Sequence, residues 1–126
     1  MRNQLRELAL CFAAGTVGGF AKGVVVWTCA HFASTAFFGS HLAGALFPAG
    51  IYQRLVWGGL AGFLFMLPVL RHSWLAAGLL WGVAASLLQW FLAHNELHLL
   101  VMPMLSTLVL NCLWGLVTAA MLRLLR

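Results

Sequence analysis

AAGTVGGFAKGVVVWTCAH, residues 13–31, returns as AAGLLWGVAASLLQWFLAH at residues 76–94. Ala13, Ala14, Gly15, Gly19, Ala21, Trp27, Ala30 and His31 fall on Ala76, Ala77, Gly78, Gly82, Ala84, Trp90, Ala93 and His94, an offset of 63 residues. A second match, offset by 57, sets His41, Trp57 and Gly58 on His98, Trp114 and Gly115, so the second copy is six residues shorter. Self-similarity at a fixed offset is the mark of a duplicated supersecondary unit, and repeats in membrane proteins place functional groups about a pseudo-two-fold axis. The expected repeats are 8–70 and 71–126, inside one integral membrane domain covering 1–126.

Both quoted stretches are almost wholly apolar, and the rest of the chain matches them. With 63% hydrophobic and 7% charged residues, the sequence cannot present an ordinary charged surface to water. A hydrocarbon core about 30 Å thick takes about 20 apolar residues per helix, and four runs qualify. They are Leu8 to Ala30, Gln53 to Leu70, Ser73 to Ala93, and Met102 to Leu122. Unpaired backbone groups are not tolerated in lipid, and the alternation of a barrel strand is absent, so the runs read as helices. The expected fold is an all-α membrane protein of four transmembrane helices in two tandem hairpins.

Between the first two runs, Phe32 to Tyr52 carries no charge but is broken by Ser34, Thr35, Gly39, Ser40, Gly44, Pro48 and Gly50. A short interfacial or re-entrant helix over His41 to Phe47, ended by Pro48 and Gly50, fits that composition. Pro68 and Pro103 fall near helix ends, where proline is tolerated.

Arg2 and Arg6 precede the first run, Arg71 lies between the second and third, and Arg123 and Arg126 close the fourth; the other side offers Arg54. The positive-inside rule therefore places both termini in the cytoplasm of a multi-pass protein in a bacterial-type inner membrane. Lys22 interrupts the first run before any cleavage site, which favours an uncleaved helix over a signal peptide. The net charge of +5 comes from arginines scattered at helix ends, without a basic face or aromatic platform, so nucleic acid is not an expected partner. The lipid bilayer is, together with a homo-oligomer or a larger membrane complex. Cys11, Cys29 and Cys112 have no C-x-x-C spacing and read as small packing residues.

Gly15, Gly19 and Gly23 recur every four residues, as do Gly58 and Gly62, and Gly78, Gly82 and Ser86. Such stripes let helix backbones approach closely, either to close the bundle or to form a face for a second copy. Trp27, Trp57 and Trp90 belong near the outer interface and Trp74 near the inner one, while Trp81 and Trp114 sit deeper against glycine faces.

The polar residues inside the runs carry the functional signal. Lys22 lies about nine residues below the outer end of its helix and Asn111 about nine below the outer start of its own, so at 1.5 Å per residue they share a depth. Ser86 is close to the same level. Of the two acids, Glu7 is at the wrong end of its helix and Glu96 is in an outer loop, so Lys22 has no evident ion-pair partner in the chain. It can snorkel to headgroups, line a polar path with Asn111, Ser86, Thr16 and Gln89, or meet an acid of another subunit. Arg54 at the outer mouth adds positive potential, which favours anions.

His31, His41, His94 and His98 all fall on the outer side in two repeat-equivalent pairs, and imidazole is a common ligand of haem iron and transition metals. No H-E-x-x-H motif, no serine or cysteine triad and no paired carboxylates are present, so the sequence does not describe an enzyme. The leading expectation is a channel or transporter-like subunit for a small solute or anion, with Lys22, Arg54, Ser86 and Asn111 along its path. The alternatives are a haem- or metal-binding subunit that uses His31, His41, His94 and His98, and a non-catalytic assembly subunit.

Overall fold

A computed structural model describes residues 1–32, 48–68, 72–92 and 101–126. Every regular element among the described residues is helical: α1 (Arg2–Phe32), α2 (Pro48–Gly62), α3 (Trp74–Leu92) and α4 (Val101–Leu125). A 3-10 turn, Phe63–Met66, continues α2. Among the described residues three segments are long and apolar enough to cross a membrane, Arg2–Cys29, Trp74–Phe91 and Met104–Leu125.

The second run is the one the structure moves. It begins at Pro48 rather than Gln53, because proline at the first helical position loses no hydrogen bond and already holds a helical φ. Pro48 thus starts α2; the short helix expected over His41 to Phe47 falls within residues 33–47, which lie outside the described residues. The run also stops before Leu70. Leu67 precedes Pro68 and is extended at φ −67° and ψ 129°, the conformation that proline imposes on its predecessor. Fifteen helical residues rise about 22 Å and the 3-10 turn adds about 8 Å, so α2 and its turn together are roughly as long as the hydrocarbon core is thick.

α3 starts where the sequence places it, because Ser73 caps it: its Oγ accepts the Ala76 N–H at 3.3 Å. The helices pack in the order α2, α1, α4, α3, with α1 and α4 in the middle. Outward faces carry exposed Phe20, Val56, Trp57, Leu79, Leu87, Leu88 and Val109, an apolar exterior suited to lipid.

Glycine sets the contacts of α1 with α2 and of α3 with α4. A Cβ on Gly58 would stand 2.7 Å from the Gly15 carbonyl oxygen, and one on Gly15 or Gly62 would strike the Gly58 or Cys11 carbonyl. Across α3 and α4, a Cβ on Gly78 would stand 2.9 Å from the Gly115 carbonyl oxygen, and one on Gly82 would stand 2.6 Å from Cys112 Cα. The stripes are therefore used inside the chain, main chain against main chain. Gly23 is the exception: the nearest atom to its would-be Cβ is Arg54 Cδ at 3.9 Å.

Between α1 and α4 the filler is larger. Trp114 is buried against Gly18, and its Nε1 donates to the Gly15 carbonyl oxygen at 3.1 Å. Thr118 is fully buried one turn further and donates to the Trp114 carbonyl oxygen at 2.7 Å. Phe65, from the 3-10 turn, packs its ring 6.0 Å from Trp114 and 6.4 Å from Trp81, tying the end of α2 to α3 and α4. Cys11, Ala14, Ala119 and Leu122 complete this core. At the same end, Arg126 pairs with Glu7 at 2.9 Å and Arg123 lies over Trp74 at 5.6 Å, which puts the start of α1 beside the end of α4.

Candidate functional site

Because α1 and α4 run antiparallel with Gly18 against Trp114, one turn along α1 brings Lys22 opposite Asn111, nearly one turn back along α4. Lys22 Nζ donates to Asn111 Oδ1 at 2.5 Å. Asn111 Nδ2 in turn donates to Ser86 Oγ at 3.1 Å and to Gln89 Oε1 at 3.2 Å, both on α3. The Ser86 hydroxyl donates in turn to the Gly82 carbonyl oxygen at 3.0 Å. The equal depths of Lys22, Asn111 and Ser86 thus become one hydrogen-bonded cluster joining three helices.

Asn111 is the hub, and its amide is fully used: the oxygen accepts from the ammonium and the nitrogen gives both protons away. Ser86 is 0% and Asn111 4% exposed, Lys22 is partly buried, and Gln89 is exposed, so the cluster runs from the bundle interior to its surface along α3. Lys22 therefore turns inward to Asn111 rather than outward along its helix. Of the two carboxylates in the chain, Glu7 is bound to Arg126 at the other end of the bundle and Glu96 lies outside the described residues. The ammonium is held by an amide dipole, with no described carboxylate to neutralise it.

Arg54 is close to this cluster but not hydrogen-bonded into it. It lies on α2 against α1, where its backbone oxygen faces Gly19 and its Cδ faces Gly23, and its charge repels that of Lys22. It also lines a cavity of about 260 Å³ between α1 and α2, with Gly23, Val26 and Trp27. At the sequence offsets of 57 and 63, Arg54 corresponds to Asn111, Gly19 to Gly82, Gly23 to Ser86 and Val26 to Gln89. The packing follows that correspondence: Gly19 meets the backbone oxygen of Arg54, and Gly82 meets that of Asn111. Where α3 and α4 place an amide network, α1 and α2 place a guanidinium beside small residues and a cavity.

Thr16 does not join the cluster: its hydroxyl bonds back to the Phe12 carbonyl oxygen at 2.9 Å and faces Gly59. His41, His94 and His98 lie outside the described residues, and so does the side chain of His31. Among the described residues no three His, Cys, Asp or Glu side chains converge on a metal-sized site, and Cys11, Cys29 and Cys112 are free thiols.

Arg123 and Arg126, which in the sequence only set the orientation of the fourth run, line a second cavity with His72. Only the side chains at the two helix ends define that space, and spacing along one helix does not show it. No family model matches the chain, and no curated protein or solved structure is significantly similar to it.

Proposed function

We propose that this chain is a small multi-pass membrane protein acting as a channel or transporter-like subunit for a small anion or solute. In this reading α2 and its 3-10 turn form a fourth span, the chain is two tandem hairpins, and both termini face the cytoplasm of a bacterial-type inner membrane. The observation that carries the proposal is the Lys22 ammonium, fixed by Asn111 within the apolar bundle with Arg54 as its nearby like charge. A cation at this depth marks a ligand or a polar path more often than a structural contact, and two cations together favour a negative solute. Lys22 and Arg54 attract the anion, while Ser86, Asn111 and Gln89 supply neutral groups that exchange their hydrogen bonds as it passes.

The test is anion flux into liposomes holding the purified protein, with Lys22→Ala beside wild type. Flux that falls at least tenfold in the variant, or becomes open to cations, supports the reading. Absence of flux in wild type across chloride, nitrate and phosphate refutes it.

A further inference from the structure

The Arg126 end of the bundle holds a cavity of about 620 Å³, larger than the one beside Arg54 and within the size range of ligand sites. Its rim is basic, with Arg123, Arg126 and His72, and the accessible part of its wall is apolar, with Leu67, Ala77 and Trp81. Arg126 gives Nε and Nη2 to Glu7, whereas Arg123 has no carboxylate partner among the described residues. The stacking of Arg123 over Trp74 holds its guanidinium at the rim, and a planar guanidinium presents paired donors that match the oxygens of a phosphate. The cap on α3 adds to this: Ser73 also lines the cavity, so the positive end of a 19-residue helix opens on it.

We infer that this cavity binds an anionic phospholipid, its phosphate at Arg123 and one acyl chain along Leu67, Ala77 and Trp81. Charge complementarity selects the anion, and the apolar wall selects a ligand with a chain. A free phosphate would satisfy the arginine and leave the apolar wall wet, whereas a zwitterionic lipid brings a second, cationic group to a basic rim. Arg123 lies about 18 Å along α4 from Asn111, so the site stands independently of the anion path.

The experiment is native mass spectrometry of the full chain released from neutral detergent with phosphatidylglycerol or phosphatidylcholine of identical chains. Wild type retains phosphatidylglycerol about tenfold better than phosphatidylcholine, and Arg123→Gln abolishes that preference, since one charge-assisted contact is worth about that factor. Arg2→Gln, which removes an exposed charge away from the cavity, leaves it intact. Ala77→Leu fills the apolar wall without touching a charge and lowers retention of phosphatidylglycerol. Glycerophosphate, the headgroup without chains, does not displace the lipid.

Equal retention of the two lipids, or an Arg123→Gln variant that behaves as Arg2→Gln does, overturns the inference. Displacement by glycerophosphate also overturns it, in favour of a free-anion site. If Arg123→Gln does not yield monodisperse protein, Ala77→Leu decides alone, and unchanged phosphatidylglycerol retention in that variant rejects the site.

Discussion

Replacing Asn111 with leucine keeps the side-chain volume close and removes all three hydrogen bonds of the hub at once. The two donations to Ser86 and Gln89 are worth about 0.6 kcal/mol each, the average for polar contacts between membrane helices. The bond from the Lys22 ammonium is charge-assisted and worth about 2 kcal/mol, because its loss strands a cation among apolar groups. Asn111→Leu is therefore expected to destabilise the protein by about 3 kcal/mol. Lys22→Met deletes the cation and leaves only the Asn111 oxygen unpaired, a cost of about 1 kcal/mol. In the double variant the stranded charge is gone, and Ser86 still holds the Gly82 carbonyl. Its loss should be about 1 kcal/mol, far below the sum of about 4 for independent sites. The assay is reversible unfolding in mixed micelles titrated with SDS, followed by helicity, for wild type, both single variants and the double. Additive losses, or an Asn111→Leu protein within about 0.5 kcal/mol of wild type, would show that the amide does not hold the ammonium.

The same titration separates the glycines: Gly58→Ala and Gly115→Ala should each cost about 1–3 kcal/mol through main-chain clashes, whereas Gly23→Ala, with open space ahead of it, should be neutral. Equal effects at Gly58 and Gly23 would discount the backbone contact. Trp114→Phe should lose about 2 kcal/mol, because the donation to Gly15 goes and the smaller phenyl ring leaves part of the buried indole's space unfilled. A loss above about 3 kcal/mol would mean that packing against Gly18, not the hydrogen bond, dominates. Glu7→Gln should cost less than about 1 kcal/mol, and the difference from wild type should vanish in high salt, since the pair with Arg126 is 43% exposed on both sides.

What the sequence made legible follows from periodicity and depth. Counting residues from the helix ends placed Lys22, Asn111 and Ser86 at one level, and α-helical rise is regular enough for that count to become a hydrogen-bonded cluster. The glycine spacing marked the close faces, although it did not say whether they met inside the chain; that answer depends on which helices are neighbours, a tertiary fact. The start of α2 was missed because Pro48 reads equally as a helix stop and a first helical residue, and only the chain on either side distinguishes them. Glu7 was correctly separated from Lys22, yet its pairing with Arg126 needed the return of α4 to the start of α1. Arg54 was grouped with the path residues as a positive charge at their outer mouth, and the structure sets it near them on the far face of α1.

The helix order also imposes a schedule. α1 and α2 can zip along Gly15, Gly19, Gly58 and Gly62 as soon as both have left the ribosome, but Asn111 lies 89 residues beyond Lys22. At about 5–20 residues per second, the ammonium waits about 4–18 s before the amide that receives it exists. Until then the first half of the protein is an incomplete object with a bare charge on its open side, held where water or headgroups can solvate it. Arrival of α4 closes that side, so the helix that carries Asn111 is the one that commits α1 to the bundle.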